Sequence, residues 1–164
     1  MATIRNRVIS DELWLNAADE PESDPTNAAS KTYRYLLLEQ WQQQSAEQQA
    51  QLVPLLPGDI DPAEHLQQLL PLAAIAIEFP SFADGRGYSI ATLLRERYSY
   101  SGDLIAVGDI LQDQAAMLTR CGFNVLVLRH DQPVEAVLKK IGQYAVNYQP
   151  EGERPPLWRK RLQS

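Results

Sequence analysis

The sequence predicts a single α/β domain in which consecutive βα units build a parallel sheet, either half a (β/α)8 barrel or an open sheet. Three observations predict it. Beyond residue 73, short runs apolar on both faces alternate with amphipathic helical stretches, the pattern of strands covered by helices. The 164 residues suffice for one well-buried domain and not for two comfortable ones. A composition of 45% apolar and 22% charged residues is that of an ordinary globular protein, which excludes wholesale disorder, a coiled coil or a collagen-like fibre.

Residues 1–70 read as an N-terminal strand, an acidic loop and covering helices of the same domain. Val8, Ile9, Leu13 and Trp14 make a strand of Arg7 to Leu15. Asn16 to Ser30, rich in Asp, Glu, Pro, Asn and Ser, has no apolar periodicity and reads as a mobile loop. Tyr33 to Leu38 is fit for a strand. Ser45-Ala-Glu-Gln48 has the spacing of a capping box, so a helix starts there and ends near Pro54. Asp61-Pro62-Ala63-Glu64 sets an N-cap, a first-turn proline and a first-turn acid, with Leu66, Leu69 and Leu70 as the buried face.

Residues 71–150 form the regular βαβαβα block. Its strands are Ala74–Ile77, Leu104–Val107 and Phe123–Leu128. Ser89 to Tyr98 is a helix with Ile90, Leu93, Leu94 and Tyr98 inward. Ile110 to Cys121 is the next, with Leu111, Ala115 and Leu118 on one side and Gly122 as its left-handed cap. Val134 to Tyr148 is the third, and the crossovers are right-handed. Residues 151–164 are a basic tail, with Arg154, Arg159, Lys160 and Arg161 around Pro155, Pro156 and Trp158. It reads as a solvated terminus, or as a docking tail.

Charge and cysteine usage narrow the function classes. The net charge of −6 is uneven: residues 1–70 hold 4 basic and 11 acidic side chains, residues 71–164 hold 11 and 10. An acidic chain is a poor sequence-independent nucleic-acid binder. The longest apolar run, Leu69 to Phe79, contains Pro71 and Glu78 and is too short to span a membrane. No apolar h-region follows Arg5 and Arg7, so no secretory signal is expected. The single Cys121 excludes an intramolecular disulfide and a cysteine metal cluster, and it suggests the cytoplasm. With only His65 and His130, a three-histidine metal site cannot form within one subunit.

Every βα loop of a parallel sheet leaves from the carboxyl edge, where ligands usually bind. The expected rim therefore holds Glu78, Asp84-Gly85-Arg86-Gly87, Asp109 with Gln112 and Asp113, and Arg129, His130 and Asp131. Glu39 joins them if its strand is parallel. Asp84 and Asp109 are the candidate general bases. Arg86, Gly85, Gly87, Ser89 and Asp113 are the candidate ligand-binding residues, because two glycines beside an arginine before a helix outline an anion site. Blander readings stand beside these. A plain tight turn explains Gly85 and Gly87, helix capping explains Asp109 and Asp131, and His130 reads as a solvent-facing loop residue. Arg95 and Arg97 belong to the exposed side of their helix, paired with Glu96 or Asp113. Cys121, at a helix C-terminus and the amino edge, reads as a buried structural thiol, with Arg120 beside it. Gly85-Arg-Gly87 imitates the dinucleotide fingerprint, but Ile90 takes the third glycine's place. No Walker loop occurs. No cofactor is implied.

Ile77-Glu-Phe-Pro80, Phe82-Ala-Asp-Gly-Arg-Gly-Tyr-Ser89, Leu94-Arg-Glu-Arg-Tyr98, Ala106-Val-Gly-Asp109, Asp113-Gln114 and Arg120-Cys-Gly-Phe123 carry a resemblance. Over residues 70–130, and weakly through Trp14 and Trp41, the chain resembles the bacterial family catalogued as domain of unknown function nine-three-four. Members are often described as oxidoreductases, and their genes tend to neighbour that of the sulfite reductase hemoprotein. The resemblance implies a role in sulfur assimilation and supplies no catalytic residues. Two functions are expected from it and from the rim. One is an accessory protein that binds sulfite reductase, or a small anion on its route. The other is a small enzyme, an oxidoreductase by family description, using Asp84, Asp109 and Arg86. An open sheet of this size leaves apolar edges to cover, so a homodimer is also expected.

Overall fold

The computed structural model describes residues 2–17, 31–129 and 131–143. In chain order the elements are β1 (Ala2–Arg5), β2 (Val8–Ser10), β3 (Leu13–Asn16), β4 (Thr32–Leu37), α1 (Leu38–Gln42), α2 (Ala46–Gln49) and β5 (Leu52–Leu56). A 3-10 turn (Pro62–His65) then leads into α3 (Leu66–Leu69) and β6 (Ala74–Phe79). After these come α4 (Arg86–Thr92), a π-helical turn (Leu93–Arg97), β7 (Asp103–Gly108), α5 (Ala115–Arg120), β8 (Val125–Leu128) and α6 (Val134–Gln143).

The strands form one eight-stranded sheet in the order β2-β1-β8-β7-β6-β5-β4-β3. From β3 to β8 all neighbours are parallel, while β1 runs antiparallel to both β8 and β2. Only Asp11 and Glu12 separate β2 from β3, the two edge strands, so the sheet must curl enough to bring its edges near each other, although no ladder joins them. Three residue steps span about 11 Å at most. The Thr3 hydroxyl fastens the closure by donating to the Glu12 carbonyl at 2.8 Å. The architecture is a half-barrel.

Two apolar clusters follow from this shape. The larger lies between the sheet and the helices, with Ile77, Phe79, Leu94, Leu104, Leu118 and Val137 among its members. The smaller contains strand residues only: Trp14, Leu55, Ala76, Ile105, Val107, Val125 and Val127, and it fills the curled-in face. Trp14 stacks on Tyr33 with ring centroids 4.5 Å apart. Fully burying side chains of this size stabilises by about 1.5–3 kcal/mol each.

From β6 onward strands alternate with helices as expected, and Gly122 caps α5 at φ 106°. Six expectations are corrected. Arg7–Leu15 is not one strand, because Asn6 and Arg7 adopt φ 50° and 66° and reverse the chain between β1 and β2. Leu52–Leu56, around Pro54, is a strand and not the end of a helix. The capping box at Ser45 is present, but it starts a helix of only 4 residues. Pro54 is tolerated because the ladder to β6 begins only at Leu55.

Leu70 is 41% exposed and does not belong to the buried face. Asp61 accepts from the Ala63 amide at 2.9 Å and caps a 3-10 turn, whose tighter winding shifts the phase of the leucines that follow. The helix expected from Ser89 begins at Arg86 and ends in the π turn. Both Arg95 and Arg97 lie in that turn and differ in exposure. Arg97 is exposed, whereas Arg95 is half-buried and donates to the carbonyls of Tyr100 (2.6 Å), Gly102 (2.8 Å) and Gly122 (3.0 Å). Residues 110–114 precede α5 instead of belonging to it. Most of the acidic loop, His130, the end of the third helix and the basic tail lie outside the described residues.

Candidate functional site

The carboxyl edge over β6 is built around Phe79. Helix α4 packs so closely there that a Cβ on Gly87 would lie 2.7 Å from the Phe79 ring. Gly87 therefore serves helix–strand contact, and Gly85 has an ordinary φ of −90°. In the loop before α4, the Asp84 carboxylate accepts from the Arg86 backbone amide at 3.1 Å and from its guanidinium at 2.6 Å and 3.0 Å. These bonds from the Arg86 side chain and backbone lower the Asp84 carboxyl to about 2. The chain's own carboxylate thus takes the donors that an external anion would use. Ser89 is the fourth residue of α4 and is exposed.

Over β7 and β8 a second group forms. Gly108, at φ 108°, lets the chain pass Phe79 so that the Asp109 amide donates to the Phe79 carbonyl at 2.7 Å. One Asp109 oxygen accepts from the Phe82 amide at 3.1 Å and the other from Arg129 at 2.5 Å. Arg129 also grips Asp131 with two bonds, at 2.9 Å and 2.5 Å. Hydrogen bonds to Asp131 and then to Asp109 raise Arg129, and the bond from Arg129 holds Asp131 well below the usual carboxylate range. Asp109 is not a helix cap, since α5 starts six residues later.

Gln114 supports this group by accepting from the Leu111 amide at 2.9 Å and donating to the Phe82 carbonyl at 2.8 Å. Asp113 stands apart from Asp84 and Asp109 in its bonding, paired with Lys140 at 2.7 Å. Glu78 is half-buried near the end of β6. Glu39 follows β4, which is parallel as the expectation required, and is exposed.

The structure thus joins Asp84 to Arg86, and Asp109 to Arg129 and Asp131. It does not bring the two groups into one hydrogen-bonded cluster. Arg129 is the residue that sequence reasoning undervalued, and its position right after a buried strand, with an acid two residues on, was the available signal. Among the described residues no group of three or more His, Cys, Asp or Glu is placed to hold a metal ion. No helix among them is long and apolar enough to cross a membrane. Cys121 is buried, as its sequence context suggested.

Fold and site together define an α/β half-barrel protein with a charge-paired carboxyl edge. The chain belongs to the bacterial family described as "Bacterial protein of unknown function (DUF934)", which matches residues 55–158. The resemblance drawn from residues 70–130 holds and extends in both directions. Comparison with curated proteins and with solved structures gave no match.

Proposed function

We propose that the protein is an accessory factor of sulfite reduction that acts by docking on sulfite reductase and not by performing chemistry of its own. The observation that supports this most is the internal pairing of the rim. Arg86 and Arg129 are each committed to carboxylates of the same chain. A carboxylate titrating at about 2, as Asp84 does, is a weak base near neutrality. Sulfite reductase is named as the partner from the gene neighbourhood that the family resemblance implies. The test is a pull-down with the tagged chain from its native host grown on sulfate. Retention of sulfite reductase subunits is expected, together with slowed growth on sulfate when the gene is deleted. A bait without sulfite reductase, or unimpaired growth in a strain without a second copy, refutes the reading.

One observation favours a second reading. The Arg86 side chain is 57% exposed, so part of its guanidinium faces solvent beyond Asp84. A small enzyme would use it to hold an anionic substrate, with Asp84 or Asp109 as base. Calorimetric titration with sulfite checks this: binding by the parent that is lost in Arg86→Ala supports the enzyme, and no heat in either excludes sulfite as its substrate.

A further inference from the structure

The carboxyl ends of β4 and β5 frame a groove of about 590 Å³ whose own lining includes none of the charge-paired rim residues. Its apolar lining is Leu37, Leu38, Pro57 and Ile60. Leu37 is 40% exposed, unusual for a leucine at the end of an interior strand. Glu39, Asp59 and Glu64 stand along the groove with His65, and no lysine or arginine lines it. None of the three carboxylates is ion-paired with a described residue. A second cavity of about 600 Å³ shares Asp59 and Ile60 with the first and continues past Asp61 to Arg86, Ile90 and Leu93, so the rim's arginine bounds the groove on that side.

We propose that this groove is the docking site for an extended, basic segment of a partner protein, with a lysine or arginine side chain laid over Leu37 between Glu39, Asp59 and Glu64. Three physical points select that occupant. The stem of a lysine or arginine is apolar and its head is charged, which matches an apolar floor with acidic sides. Among the described residues the three carboxylates form no ion pair, and Asp59 feels Arg86 only at longer range, so a cation gains them without displacing an internal pair. Leu37 on the floor is 40% exposed, so the groove opens to solvent where a chain segment can lay a side chain along it. The proposal rests on the docking function above and gives it a surface.

The experiment measures fluorescence anisotropy of a labelled (Lys-Ala)5 peptide with the full chain at two salt concentrations. It compares the parent with two triple variants of equal charge change. Glu39→Gln, Asp59→Asn and Glu64→Gln empty the groove of charge. Glu47→Gln, Glu96→Gln and Glu135→Gln remove three exposed carboxylates elsewhere. Affinity is expected to fall at least tenfold in the groove triple and less than twofold in the control, with circular dichroism unchanged in both. Equal losses in the two triples would reduce the effect to net charge and overturn the proposal, as would free arginine binding as tightly as the peptide. The pull-down separates this from the accessory reading. If the groove triple still retains sulfite reductase, the groove is wrong and the accessory function stands. If the parent binds the peptide through the groove but retains no sulfite reductase, the named partner is wrong and the groove stands.

Discussion

One sheet edge carries two charge regimes. Over β6–β8, Asp84 meets Arg86, and Arg129 meets both Asp109 and Asp131. Over β4 and β5, Glu39, Asp59 and Glu64 line a groove that holds no lysine or arginine among the described residues. The first region resembles a site in the sequence, because acids and arginines alternate after the strands. It is electrostatically closed. The second shows no motif, yet it keeps charge available beside exposed apolar surface. Position on the carboxyl edge nominates residues, and the pairing of charges decides which can act outward.

The same substitution made in both regions gives the largest expected contrast. Gly108→Ala meets a φ of 108° and the Phe79 carbonyl oxygen 2.3 Å from the new Cβ. It should lose about 3 kcal/mol in urea denaturation. Gly58→Ala, in the loop after β5, has its nearest neighbour at 3.6 Å and an ordinary φ. It should stay within about 0.5 kcal/mol of the parent. Equal losses would erase the difference in rigidity between the two halves of the edge.

Acid titration is the next test. Asp84 and Asp131 both titrate below the ordinary carboxylate range in the folded chain. Their contribution to stability is complete above their unfolded values, near 4, and is lost as pH falls through the folded ones. Carboxyl NMR should place the Asp84 midpoint at about 2 in the parent, and Arg86→Ala, which removes the guanidinium and keeps the backbone amide, should raise it toward the ordinary carboxylate value. A midpoint of about 4 in the parent would mean that the rim is open after all.

Smaller effects sharpen the comparison. Ser45→Ala removes the hydroxyl that accepts from the Gln48 amide and should cost about 0.5–1 kcal/mol, with no change in peptide affinity at the groove. Asp113→Asn breaks an exposed pair with Lys140, whose Asp113 side chain is 70% exposed. It should change stability by less than about 0.5 kcal/mol.

Legibility followed periodicity. Strands β6, β7 and β8 could be read because each is a continuous apolar run bounded by polar loops, and α6 because Val134, Val137 and Ile141 recur at helical spacing. Strands β1 and β2 are four and three residues long, too short for any period to register. In β5 the proline signalled a boundary, and only the pairing of β4 and β6 shows where a missing amide is harmless. A π turn adds a residue to a helical turn without a compositional mark, so the inward position of Arg95 was hidden. The site divides in the same way. Asp84, Arg86 and Asp109 were found as residues, but their mutual neutralisation is a property of tertiary distance. The groove was missed because Pro57-Gly58-Asp59 follows the strand that Pro54 disguised.

The antiparallel ladder of β1 on β8 joins residues 2–5 to residues 125–128. On a translating ribosome, β1 emerges long before its partner exists. At 5–20 residues per second, a wait of about 6–25 s separates the two. A two-stranded β1–β2 hairpin is marginal alone in water, and Val8 and Ile9 remain 65% and 49% exposed even in the finished fold. The β1–β8 ladder is therefore the last pairing of the sheet to form. Until β8 is synthesised, the nascent chain carries an open strand edge that chaperones would have to shield.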